Sequence, residues 1–196
     1  MNLPNKLTLS RIFCTPLLVI FYLLPIPYGI GKFLALLVYI IACLTDLFDG
    51  KIARKYNLIT DFGKFADQIA DKFITTTALI LILFSNILNI YISIIILLVV
   101  VLRDILISGI RMLAAKNGSV IAADIFGKIK SFVLDLGCMI AVFYVGMFSI
   151  FGNDVEFIRI IAIVGIIGGT ILAFISCVNY IINAWNVIKE SLTDKK

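Results

Sequence analysis

Six apolar runs follow one another along this chain, at roughly 12–30, 33–56, 61–85, 87–116, 122–151 and 157–188. The breaks between them hold turn residues: Pro25 and Pro27 with Gly29 and Gly31, then Asn57, Asn86 and Asn89, Asn117-Gly118, and Gly152-Asn153. Each run approaches or exceeds the length of about 20 residues with which an α-helix crosses a hydrocarbon core about 30 Å thick. A soluble domain of this size could not hide a chain that is 62% apolar. The expected architecture is therefore all-α, a single integral membrane domain over residues 1–196 with six transmembrane helices. Ahead of the first run, Leu3, Leu7 and Leu9 interleave with Asn5, Lys6, Thr8 and Ser10. That pattern suits a short amphipathic juxtamembrane segment over 3–10. The apolar stretch from Ile12 lacks a small-residue cleavage site and reads as a span rather than a removed leader.

Charge placement sets the orientation. Of 17 lysines and arginines, only Lys32 and Arg159 lie near the first, third and fifth connections. The others gather at both termini and around the second and fourth connections, so both termini are expected in the cytoplasm. The net charge of +5 is accounted for in this way and calls for no nucleic acid. Between Lys32 and Asp46 there are 13 uncharged residues, and from Lys72 to Asn86 another 13. Each stretch rises only about 20 Å as a helix, short of the bilayer core. For these two helices to cross, their acidic ends must enter the inner leaflet, which places Asp46, Asp49, Asp67 and Asp71 at headgroup depth.

On one helix Asp46, Asp49 and Ala53 share a face, with Gly50 and Arg54 beside them; on the next, Gly63, Asp67 and Asp71 repeat every four residues. Gly50, Ala53 and Gly63 remove bulk where a ligand or backbone approaches. Four carboxylates in a partly dry cleft repel, and two divalent cations would offset them while holding a phosphate. Spacing alone leaves two other readings, carboxylates paired with neighbouring lysines or an acidic cation pathway. The chain has no histidine, and its cysteines (Cys14, Cys43, Cys138 and Cys177) form no CxxC pair. Oxygen ligands and a hard cation such as Mg2+ or Mn2+ are expected, rather than zinc or a disulfide.

Asp46-x-x-Asp49-Gly50-x-x-Ala53-Arg54, eight residues, Gly63-x-x-x-Asp67-x-x-x-Asp71 resembles the signature of the CDP-alcohol phosphotransferases. The opening LPNKLTLSRIFCTPLL, the segment VLRDILISGIRMLAAKNG and FGKIKS at 126–131 resemble the phosphatidylglycerophosphate synthase branch of that family. The resemblance implies six membrane helices, a homodimer, and transfer of a phosphatidyl group from CDP-diacylglycerol to the 1-hydroxyl of glycerol 3-phosphate. It implies that Asp46, Asp49, Asp67 and Asp71 bind two Mg2+ or Mn2+ ions per subunit, with Asp71 also the general base. Gly50, Ala53, Arg54 and Gly63 would lie against the CDP-diacylglycerol. The site would open to the cytoplasm from the cell membrane, among membrane lipids.

The acceptor's phosphate needs cations. Arg103 and Arg111 lie near one face of the fourth helix, and Lys128 and Lys130 begin the fifth. Thr8 and Arg11 are expected to face the same cavity. Where the family often reads FLDPxADK, this chain has Phe65-Ala66-Asp67-Gln68-Ile69-Ala70-Asp71-Lys72, and Asp104 follows Arg103 where glutamate is usual. Asp135 is unexpected inside an apolar run; Lys128 and Ser131 are its nearest prospective partners on the same helix. Tyr180 and Trp185 suit an interfacial aromatic belt. The same donor with inositol phosphate, phosphatidylglycerol or serine as acceptor is the alternative enzyme reading. A cation channel or transporter is the non-enzymatic one.

Overall fold

The structure is a computed structural model that describes residues 3–26, 29–55, 61–116 and 125–193. It forms six α-helices: α1 (Leu3–Leu23), α2 (Ile30–Lys55), α3 (Asp61–Leu83), α4 (Ile90–Lys116), α5 (Ile125–Phe151) and α6 (Glu156–Thr193). Among the described residues there is no strand. Each expected apolar run corresponds to one helix, and the differences lie at the ends. The amphipathic stretch over 3–10 is not set off from the first run: it forms the opening turns of α1, with Asn5 and Thr8 buried. This helix stops at Leu23 rather than near residue 30, because Pro25 disfavours helical backbone at the residue before it. The start of α4 is delayed to Ile90, where the Asn89 side chain accepts a hydrogen bond from the Tyr91 amide at 2.9 Å. The turn at 57–60 and Asn117-Gly118 lie outside the described residues.

Among the described residues, four stretches are long and apolar enough to cross a membrane: Asn5–Leu23, Ile90–Ala114, Ile129–Phe151 and Glu156–Trp185. They make this a multi-pass membrane protein. The helices that carry the aspartates, α2 and α3, are not among them. Large apolar side chains such as Phe13, Leu37, Ile95, Phe132, Phe157 and Ile182 point outward, as lipid-facing surfaces do. Lipid tails are as apolar as leucine, so close packing rather than escape from water must hold such helices together. The α5–α6 pair has the most extensive contact in the bundle. A Cβ on Gly165 would come within 2.9 Å of the Gly137 Cα, and one on Gly169 within 2.9 Å of the Leu134 Cα. Only glycine lets the two backbones meet there. Leu18, Tyr39, Leu134, Val142 and Ile166 fill the centre, drawn from α1, α2, α5 and α6. In contrast, α2 and α3 barely touch one another.

Candidate active site

Where α2 and α3 part, a cavity of about 590 Å³ opens, lined from α1, α2, α3 and α5. Its polar end holds Arg11, Asp46, Asp67 and Asp71; its other end is apolar, with Ile40, Ile74 and Met139. Leu44, Phe132 and Leu136 also line it while remaining exposed on the outer surface of the bundle. The cavity is therefore acidic at one end and flanked by lipid-facing side chains.

The helical period brings the aspartates to this place. Asp67 and Asp71 are one turn apart on α3, and the small residues Ala66 and Ala70 on its buried side let α3 pack closely. Across from them stands Asp46 on α2. A third helix supplies the cation that joins the two stripes: Arg11 of α1 is fully buried. Its Nη1 lies 2.5 Å from Asp46 Oδ1 and 3.2 Å from Asp67 Oδ1. Two carboxylate oxygens from different helices thus lie within hydrogen-bonding distance of one point, and that point carries positive charge. This convergence of oxygen donors fits a hard divalent cation. Among the described residues no three acidic or thiol side chains close into a complete metal cage.

Asp135 completes the cavity wall from α5. Its Oδ1 accepts hydrogen bonds from the Tyr39 hydroxyl at 3.0 Å and from Thr75 Oγ1 at 2.8 Å. Thr75 also donates to the Asp71 carbonyl at 3.2 Å. The half-buried carboxylate therefore ties α2, α3 and α5 together directly beside Asp71. Ser131, one of its expected partners, instead donates to the Gly127 carbonyl at 3.2 Å. For Ser131, proximity along one helix was the wrong guide: the donors that reach Asp135 stand on neighbouring helices, and the Lys128 side chain lies outside the described residues.

A second cavity of about 170 Å³ adjoins the first. Lys72, Arg103, Asp104, Ser108, Arg111 and Lys130 are among its lining residues. Asp104 organises it by accepting Arg103 Nη1 at 2.8 Å and Lys130 Nζ at 3.0 Å on the same oxygen. The shorter carboxylate therefore does reach Arg103. Arg103 Nη2 donates to the buried Ser176 of α6 at 2.8 Å. A Cβ on Gly127 would stand 3.2 Å from that Nη2, so glycine leaves room for the guanidinium to pass. Lys72 turns away from the aspartates and donates to the Asp104 carbonyl at 3.2 Å and to Ser108 Oγ. Four cationic side chains, Lys72, Arg103, Arg111 and Lys130, thus share one small cavity, a set chemically suited to an anion with several oxygens.

Of the expected site residues, Asp46, Asp67 and Asp71 meet at the first cavity, and Arg103, Arg111 and Lys130 at the second. Arg11 faces the aspartates rather than the basic cavity, while Thr8 is buried one turn earlier and lines neither. Gly63 lies one turn before Asp67 on α3 and also lines neither cavity. The side chains of Asp49, Ala53, Arg54 and Lys128 lie outside the described residues, as does everything about Gly50 beyond its place in α2. Tyr180 is buried against Ile107, Ile110 and Ala184 rather than sitting in a surface belt, whereas Trp185 is exposed. Lys72, Gln68 and Ser176 were missed. Lys72 and Gln68 follow motif aspartates directly, which is the one local signal they had.

Residues 1–172 match the family model described as CDP-alcohol phosphatidyltransferase. The chain belongs to this family. Curated members are similar over most of their length. One from Bacillus subtilis, named CDP-diacylglycerol--glycerol-3-phosphate 3-phosphatidyltransferase, is 37% identical over 140 residues, covering 66% of this chain and 70% of that protein. One of the same name from Wigglesworthia glossinidia brevipalpis is 34% identical over 188 residues, covering 94% and 96%. Every lining residue of both cavities of this CDP-alcohol phosphatidyltransferase family member lies in the matched region; Ser176, which accepts from Arg103, stands just beyond it.

Proposed function

We propose that this enzyme transfers the phosphatidyl group of CDP-diacylglycerol to the 1-hydroxyl of glycerol 3-phosphate, yielding phosphatidylglycerophosphate and CMP. One observation carries the reading: an acidic cavity flanked by lipid-facing side chains meets a small cationic cavity at Asp71. The first suits a lipid donor with a charged head, and the second a small phosphorylated acceptor. The name shared by the Bacillus and Wigglesworthia relatives specifies this donor and this acceptor.

Asp46, Asp49, Asp67 and Asp71 would hold two Mg2+ or Mn2+ ions per subunit, which when bound neutralise the donor's pyrophosphate and the departing CMP. The family resemblance assigns Gly50, Ala53, Arg54 and Gly63 to the CDP-diacylglycerol side of the site, Gly63 from outside the cavity lining. Leu44, Phe132 and Leu136 leave the cavity's flank open to the donor's acyl chains. Arg103, Arg111, Lys130 and Lys128 seat the acceptor phosphate and so fix the distance from it to the attacking hydroxyl. Asp71, which lines both cavities, takes that hydroxyl's proton as its oxygen attacks the lipid-side phosphorus and the bond to CMP breaks. Positioning and charge neutralisation supply most of the rate in such transfers.

In this reading all six helices cross the cell membrane, and both termini and the site face the cytoplasm. The clustering of basic residues at the termini and around the second and fourth connections supports it. A homodimer is proposed on the family resemblance. Purified protein in detergent, given CDP-diacylglycerol and Mg2+ or Mn2+, should release CMP with glycerol 3-phosphate and stop when EDTA is added. Release only with serine, phosphatidylglycerol or inositol phosphate would reassign the acceptor. Failure with every acceptor would overturn the reading.

A further inference from the structure

The two cavities have three lining residues in common: Gln68, Asp71 and Ser131. Whatever passes between donor and acceptor passes these side chains. Asp71 is committed to the attacking hydroxyl in the reading above, on which this inference rests. Ser131 directs its hydroxyl to the Gly127 carbonyl at 3.2 Å. Gln68 stands one turn before Asp71 on the same face of α3, exposed to the cavity space. Among the described residues its carboxamide has no protein partner.

We infer that Gln68 is a specificity residue that reads the secondary hydroxyl of the acceptor, the one carried between its phosphate and its attacking oxygen. The acceptor's two ends are fixed by different groups. Its phosphate lies among Arg103, Arg111 and Lys130, and its reacting oxygen lies beside Asp71. The carbon between them must span the junction, where Gln68 is the free neutral hydrogen-bonding group. A carboxamide offers both a donor and an acceptor, as a hydroxyl does. Being uncharged, it matches a neutral hydroxyl without competing for cations with the neighbouring carboxylates. Phosphate recognition in the basic cavity selects for a phosphorylated alcohol; Gln68 would select for a polyol among them.

The test compares glycerol 3-phosphate with 3-hydroxypropyl phosphate, which keeps the phosphate and the primary hydroxyl but lacks the secondary one. CMP release and equilibrium binding of both acceptors are measured for wild type, for Gln68→Met, a near-isostere without hydrogen-bonding groups, and for Gln68→Ala. Wild type should prefer glycerol 3-phosphate by about 30-fold in kcat/KM, the size of effect expected when an analogue leaves one hydrogen-bonding group of the site unpaired. In both variants the preference should fall to about threefold or less, through a higher KM for glycerol 3-phosphate. Binding gives the same comparison where turnover is too slow to measure. An unchanged preference in Gln68→Met overturns the inference, as does a wild type that does not distinguish the two acceptors. A wild type that releases no CMP with glycerol 3-phosphate overturns the reading of the reaction instead.

Discussion

The α5–α6 pair and the α2–α3 pair solve opposite problems. In the first, Gly137 and Gly165 bring two backbones into contact. In the second, adjacent helices hardly meet, and what lies between them is a cavity edged by carboxylates. Contact between α5 and α6 depends on the absence of side chains. Separation between α2 and α3 is bridged by polar ones, Arg11 to Asp46 and Asp67, and Tyr39 and Thr75 to Asp135. A membrane protein that gains little from hiding apolar surface can make one wall rigid by packing. It can then leave the adjoining α2–α3 side open enough to admit a substrate.

This contrast can be broken by experiment. Asp71→Asn should lower kcat for CMP release by about 10³-fold, roughly 4 kcal/mol, because the proton acceptor is lost. Its melting temperature in detergent should stay at the wild-type value or rise, since one of several clustered like charges is removed. Gly165→Leu should do the reverse. Forcing a side chain between the two backbones should cost about 3 kcal/mol of stability, read as a lower melting temperature, while properly folded molecules keep their KM values. Asp135→Ala leaves the Tyr39 and Thr75 hydroxyls without their acceptor and should cost about 2 kcal/mol; Asp135→Asn, which keeps an acceptor oxygen, should recover most of it. Ser176→Ala removes one hydrogen bond from Arg103 and should weaken glycerol 3-phosphate binding by about fivefold, near 1 kcal/mol, with the CDP-diacylglycerol KM unmoved. A stability loss in Asp71→Asn as large as that in Gly165→Leu would erase the distinction between the two pairs.

What the sequence made legible was what lies on one helix. The spacing of Asp67 and Asp71, the shared face of Arg103 and Arg111, and six helices with their breaks all follow from a period of 3.6 residues. Partners on other helices were not legible. Arg11 finds Asp67 across 56 positions, Arg103 finds Ser176 across 73, and Tyr39 finds Asp135 across 96. Periodicity states which face of a helix is polar; the packing of the bundle states what that face meets. Tyr180 shows the same limit, because its depth suggested a membrane interface while its direction put it inside. The opening turns of α1 show a related ambiguity. An amphipathic pattern fits a membrane surface and a protein interior equally well, and Asn5 and Thr8 turned inward.

Arg11 lies only eight positions beyond Leu3, the first described residue of α1, and its guanidinium joins the two aspartate helices. For anyone handling the protein, the amino terminus is therefore the wrong end to trim or to fuse. Shortening it by a dozen residues, a common remedy for a poorly behaved preparation, would delete the side chain that spans the acidic cleft. Labels and affinity handles belong at the carboxyl end, where α6 continues past Trp185 to Thr193 and Lys189 is exposed, beyond every residue that lines either cavity.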